Sequence, residues 1–192
     1  MTRLFLPVST RDHMLGAKNA PFTLVEYGHY ACSHCASIER TVMQQQRRLD
    51  GELRFVYRHF PPTRFFSSAQ RAAEAAEAAG AQGKFWEMHR LLFGYTHHLE
   101  DAILVFCAAT LRLDMPRFLS DLNQHVYAER VREDFESGLR SGVSSTPTFY
   151  INGVRHDDFG DADTLLEAME RSFEERVSLS GENSILWQPA AK

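Results

Sequence analysis

The sequence predicts an α/β fold in which two sheet-forming halves are separated by a helical insertion of about 75 residues. Three observations predict it. Two β-rich runs, "FTLVEYG" at 22–28 and "LRFVYRHF" at 53–60, flank a segment with helical spacing. From about 64 to 140 the chain is dominated by helix formers. At 146–156, "TPTFYINGVRH" returns to β character around an Asn-Gly pair.

The elements follow in order. "FTLVEYG" is rich in β-formers and ends in Gly, which reads as a strand. It runs directly into "HYACSHCAS", where Cys32 and Cys35 are separated by Ser33 and His34. From Cys35 the apolar positions Ile38, Val42 and Leu49 recur at helical spacing, and Asp50-Gly51 closes that helix. The second strand is stopped by Pro61-Pro62, and the short crossover makes the two strands parallel. Helices are expected over 67–80, 84–95, 99–113, 114–122 and 127–139. The run at 99–113 is mostly apolar and is expected to be buried, and Asp114 with an early Pro starts the next helix. Asn152-Gly153 between β-rich runs signals a hairpin. Asp161 or Asp163 caps an expected final amphipathic helix, and the tail after Ser178 has no periodicity. Without the helical block, the order β-α-β then β-β-α is that of a thioredoxin fold. The expected organisation is a thioredoxin-like domain at 1–60 and 143–178, an inserted helical subdomain at 61–142, and a C-terminal tail at 179–192.

Bulk composition narrows the function classes. The 192 residues suit one domain with an insertion, and 44% hydrophobic with 24% charged residues are ordinary for a soluble globular chain. A net charge of −4 offers no basic excess for non-specific nucleic-acid binding. The longest strongly apolar run, "AILVFCAATL" at 102–111, is half of what a bilayer requires, so no membrane insertion is expected. The apolar stretch Leu4 to Val8 is too short for a signal-peptide core, which gives a cytoplasmic expectation.

Three cysteines are too few for a secreted disulfide scaffold. A close Cys pair beside a β-α-β pattern reads instead as a redox motif. Two alternatives stand beside it. One is a metal-binding module using Cys32 and Cys35 with His29 or His34, although a structural zinc site normally needs four ligands and no second cysteine pair exists. The other is a peptide-binding, chaperone-like protein that makes little use of its thiols.

The chain resembles the DsbA-like branch of the thioredoxin superfamily from about Gly16 to Val177. The resemblance rests on "APFTLVEYG" leading into "YACSHC", on "FVYRHFPP", on "GKFWEMHRLLF" and on "GVSSTPTFYING", in that order. It implies a thiol–disulfide oxidoreductase with Cys32 as attacking and Cys35 as resolving cysteine. It also implies that Pro147 is a cis-proline facing them and that Glu26 is a buried glutamate. Its implied partners are protein or peptide thiols and disulfides and a redox-recycling partner, with no cofactor. The chain departs from many relatives in having Ser33 where they have Pro, and His29 and Ala31 where they have acidic residues.

The chemistry needs these residue types. Exchange proceeds by thiolate attack, and an unperturbed thiol, titrating near 8.5, is mostly protonated at neutral pH. At a strand-to-helix junction, Cys32 meets unpaired amide N–H groups and the positive end of the helix dipole. His34 is expected to add a cation or an N–H donor, since no acidic side chain lies between Tyr27 and Ile38. Glu26 shares a strand face with Phe22 and Leu24. Buried there, its carboxyl would titrate high and exchange the Cys35 proton. A cis bond before Pro147 would leave the Thr146 backbone to pair with an extended substrate. Cys107 reads as a buried small hydrophobe, and His89, His97 and His98 as surface residues.

Overall fold

A computed structural model describes residues 2–49, 51–62, 68–156, 167–169 and 171–172. Its elements are β1 (His13–Leu15), β2 (Phe22–Gly28), α1 (Ser33–Arg48), β3 (Leu53–His59), α2 (Ser68–Gly80), α3 (Phe85–Gly94), α4 (Asp101–Thr110), α5 (Met115–Asn123), α6 (Ala128–Arg140), β4 (Thr148–Ile151) and β5 (Val154–His156). They form a thioredoxin fold. The five-stranded sheet has the order β1-β3-β2-β4-β5.

The sheet order follows from the connections. α1 carries the chain over the sheet, so β3 returns parallel to β2, with Phe22 opposite Leu53 and Gly28 opposite His59. β4 joins the other side of β2 antiparallel, pairing Glu26 with Phe149. The β4–β5 hairpin turns on Asn152 and Gly153, both in the left-handed region at φ 48° and 79°, the geometry that makes Asn-Gly favourable there. Asn152 also accepts the Thr23 N–H through its side chain and donates its own N–H to the Thr23 carbonyl. The hairpin is thereby tied to the central strand.

Every residue of β2 is buried, because both faces of the sheet are covered. Phe22 and Leu24 face a core shared with α1 and the helical block, including Ile38, Met88, Leu104 and Phe118. Val25 and Tyr27 face a second core with Val56, Phe60, Val143 and Tyr150. Each such aliphatic or aromatic side chain contributes about 1.5–3 kcal/mol on burial. α6 lies close to β3 because Gly138 has no side chain: a Cβ there would come within 2.6 Å of the Phe60 ring.

The structure corrects one of these expectations and adds a strand that the sequence reading did not include. α4 is not a buried helix: Leu104, Cys107 and Ala108 form one inward stripe, while Phe106 is 52% exposed. High hydropathy does not specify a packing partner, and α4 packs on one side only. β1, a three-residue antiparallel partner of β3, is too short to show alternation in sequence. α1 ends at Arg48 with Leu49 as C-cap, just before the Asp50-Gly51 stop. The expected final helix lies largely outside the described residues, of which 167–169 and 171–172 are helical, with Ala168 and Met169 buried. The tail at 179–192 lies outside them altogether. Among the described residues, no helix is long and apolar enough to cross a membrane.

Candidate active site

β2 delivers the chain to the N-terminus of α1 at the C-terminal edge of the sheet. Cys32 is the N-cap residue, extended at φ −95° and ψ 108°, and its sulfur accepts the Cys35 backbone N–H at 3.1 Å. Sulfur therefore takes the place usually held by a Ser or Asp oxygen at a helix start. No acidic residue occupies the first turn to oppose a negative sulfur, and Arg47 and Arg48 sit at the opposite pole. All three cysteines are free thiols.

The two thiols of the pair are pushed in opposite directions. The Cys35 thiol, donating to the Cys32 sulfur, is the largest influence drawing Cys32 down to about 6. Burial opposes this, and Thr146 with the Cys35 and His34 backbone N–H groups reinforces it. Cys35 is fully buried and is held well above the thiol range, first by desolvation, then by its bond to Cys32 and by the Glu26 charge. Cys107 is buried in α4, and desolvation raises its thiol as well.

Glu26 is 1% exposed beneath the pair. Burial raises its carboxyl well above the usual range, and the negative charges of Glu39 and Cys32 add to the effect. Glu26 Oε1 and the Tyr57 hydroxyl are buried, and neither has a hydrogen-bond partner among the described residues. Across the pair, the Thr146–Pro147 peptide bond is cis. The Cys32 thiol lies 3.6 Å from the Thr146 carbonyl oxygen, to which it donates. Cys32, Cys35, Glu26, Thr146 and Pro147 are thus gathered at one end of the sheet. His34 contributes to the sulfur through its backbone N–H, while its side chain lies on the exposed surface.

Two further buried groups adjoin the pair. Glu39 is 6% exposed, and His89, expected on the surface, is fully buried. His89 Nε2 lies 3.4 Å from Glu39 Oε2, in ion-pair range, and Nδ1 meets the Tyr30 hydroxyl at 3.1 Å. Burial lowers the His89 pKa. The signal for Glu39 was present, since it stands between Ile38 and Val42 on the apolar face of α1. His89 follows Met88 on the buried side of α3, between Phe85 and Leu92. Among the described residues, the one group of side chains with metal-ligand spacing is His59, Glu77 and Asp134, apart from the cysteines. Its members are already hydrogen-bonded, His59 to Glu77 at 3.1 Å and Asp134 to the His59 N–H at 3.1 Å.

A family model described as thioredoxin matches residues 9–171. The chain belongs to the thioredoxin family. Among solved structures, this thioredoxin-family chain is similar to BdbD from Bacillus subtilis, with a TM-score of 0.76 and 21% identity over 90% of this chain and 98% of that one. It is also similar to α-DsbA1 from Wolbachia pipientis, with a TM-score of 0.75 and 21% identity over 91% and 96%. At these identities the likeness establishes a shared DsbA-type fold. Among curated proteins, it is 42% identical over 171 residues to a Salinispora arenicola protein named Na(+)/H(+) antiporter NhaA 1, covering 88% of this chain and 26% of that protein. A Mycobacterium sp. (strain KMS) protein of the same name is 38% identical over 162 residues, covering 83% and 26%. The chain spans about a quarter of the length of these curated relatives.

Proposed function

We propose that this protein is a thiol–disulfide oxidoreductase that exchanges the Cys32–Cys35 dithiol or disulfide with protein or peptide thiols through a mixed disulfide at Cys32. The observation that supports this best is the split between the two thiols, Cys32 near 6 and Cys35 far higher. At pH 7 a thiol titrating at 6 is about 90% thiolate, against about 3% for an unperturbed one. Cys32 is the nucleophile at neutral pH, and Cys35 is inert until its proton is removed.

In the oxidising direction, a substrate thiolate attacks the Cys32 sulfur of the disulfide. The Cys32–Cys35 bond breaks, and Cys35 leaves with the electron pair and takes a proton from the Glu26 carboxyl. A second substrate thiolate then attacks the substrate's own sulfur in the mixed disulfide. Cys32 is released as a thiolate, and the substrate has lost two electrons to the pair. Glu26 suits this proton exchange because burial raises its pKa, so the carboxyl holds its proton to higher pH than an exposed one. The Thr146 backbone, beside the sulfur, suits an extended substrate segment. Stabilising the Cys32 thiolate stabilises the reduced pair, which favours oxidation of substrates.

Reaction of the oxidised protein with a reduced cysteine peptide tests the reading. Cys35→Ser, given a disulfide-bonded peptide in place of the reduced one, should accumulate a mixed disulfide at Cys32 as one peptide thiolate leaves, and Cys32→Ser should abolish exchange. Peptide binding that survives Cys32→Ser, with no exchange in the wild type, would favour a chaperone-like binder instead.

A further inference from the structure

A groove of about 880 Å³ runs along α1 between that helix and α3, starting at Ser33 beside the nucleophilic cysteine. We propose that it docks an acidic, extended segment of the protein partner whose thiols Cys32 oxidises. The inference rests on the oxidoreductase reading and names what that site recognises.

The walls are two helix stripes. On α1, Ser33, Ala36, Arg40, Met43 and Arg47 line the groove at helical spacing, and Arg90 and Phe93 face them from α3. Met43 and Phe93 are buried at 7% and 8% exposure and make an apolar floor. Arg40, Arg47 and Arg90 are exposed; among the described residues Arg40 and Arg47 take part in no ion pair, while Arg90 interacts with the charge of Glu87 without a direct salt bridge. Arg58 and Arg71, by contrast, are paired, with Asp12 at 2.7 Å and with Asp101 at 2.7 Å. The one carboxylate lining the groove is Glu39, which is buried and turned to His89. Three guanidiniums against one buried carboxylate form a local positive strip on a protein whose net charge is −4.

Dimensions and chemistry select the occupant. Ser33 and Arg47 are fourteen positions apart, about 21 Å along a helix at 1.5 Å per residue. That is the length of about six extended residues. Arg40 and Arg47 are about 10 Å apart on the same scale, so they match carboxylates about three residues apart on an extended chain. The apolar floor covers side-chain methylenes, and guanidiniums pair with carboxylates in a planar, two-bond geometry. A second cleft shares Ser33, Ala36, Phe93 and Gly94 and continues to His97 and His98, so the groove is open at the end nearest Cys32. A thiol at the end of a docked segment therefore reaches the sulfur. A nucleic acid would need a broader basic surface than one strip on an acidic protein.

The test uses the oxidised 192-residue chain and two reduced peptides of equal length. Each has one Cys. One has Asp three and six residues from it, and the other has Asn at those positions. KM and kcat for peptide oxidation are measured at low and high salt. The expected result is a KM about tenfold lower for the acidic peptide at low salt, with the difference erased at high salt. In Arg40→Glu/Arg47→Glu the preference should disappear or invert, while Arg117→Glu on α5, an equal change per site in net charge, should keep it. Should the double reversal fail to fold by circular dichroism, Arg40→Gln/Arg47→Gln replaces it. Equal KM values for the two peptides, or an equal loss of preference in Arg117→Glu, would overturn the proposal. So would competition by a single-stranded oligonucleotide at the affinity of the acidic peptide. Failure to oxidise either peptide would instead count against the oxidoreductase reading.

Discussion

A Cβ added to Gly28 would lie 2.9 Å from Glu26 Oε1, closer than real Cβ atoms approach. The last residue of β2 thus lacks a side chain where the buried carboxyl and the Tyr57 hydroxyl, 3.2 Å from the same point, need room. Gly28→Ala should force the carboxyl aside. The expected outcome is a loss of about 1–3 kcal/mol in urea unfolding. Resolution of the Cys32 mixed disulfide should also slow. An unchanged resolution rate at lowered stability would separate the glycine's structural role from any effect on Glu26.

The pH dependence of stability follows from the cysteine pair. The Cys32 pKa is lower folded than unfolded, so its stabilising contribution is present above the unfolded value and is lost as pH falls through about 6. The raised Cys35 acts oppositely, withdrawing stability once pH passes the unfolded thiol value. The reduced protein should therefore gain in Tm relative to the oxidised one from about pH 6 to about pH 8.5 and then lose it again at higher pH. Differential scanning of both forms across that range checks it. A difference that does not change with pH would mean that Cys32 is not a low-pKa thiol.

At position 34 the backbone N–H supports the sulfur. Pro is tolerated in the first turn of a helix, where N–H groups lack intrahelical partners. His34→Pro should raise the Cys32 pKa measurably in a thiolate-absorbance titration and make the couple more reducing. His34→Ala, which retains the amide, should shift it less. The reverse order would return the effect to the imidazole.

Glu39 raises the Glu26 pKa through like charge. Glu39→Gln removes that charge at nearly constant shape, so the Glu26 carboxyl should titrate lower. The pH at which mixed-disulfide resolution is half-maximal should move with it. Carboxyl titration by infrared difference spectroscopy on the reduced protein reports the shift directly. No change in either readout would uncouple Glu39 from the proton path.

Local chemistry was legible wherever it was decided locally. "FTLVEYG" is a strand with the bounds its composition implies, and Asn152-Gly153 makes the hairpin because both residues tolerate positive φ. The cysteine pair was legible as chemistry because a strand, a two-residue spacer and a helix leave few other uses for it. What depended on tertiary placement was not legible. "AILVFCAATL" looked buried because hydropathy counts apolar atoms without saying what covers them. His89 looked exposed because its burial depends on Tyr30 and Glu39, both far away in the sequence. The three arginines of the groove are unremarkable until α1 and α3 stand side by side.

The carboxylate of Glu77 on α2 is gripped by His13 at 2.9 Å and His59 at 3.1 Å, from strands β1 and β3. Asp134 on α6 takes the His59 N–H and pairs with Arg130. Burial alone would raise the Glu77 pKa, yet the hydrogen bonds from the two histidines outweigh it and hold the carboxyl well below its ordinary value. An excised version that spliced Phe60 to Val143 would strip His59 of both acidic partners and open the sheet face that α2 and α6 cover. Uncompensated buried polar groups of this kind cost several kcal/mol. The helices between the two halves of the sheet are therefore not an accessory that engineering can trim, and a minimal redox module cut from this chain would have to replace His13 and His59 with apolar residues before it could stand alone.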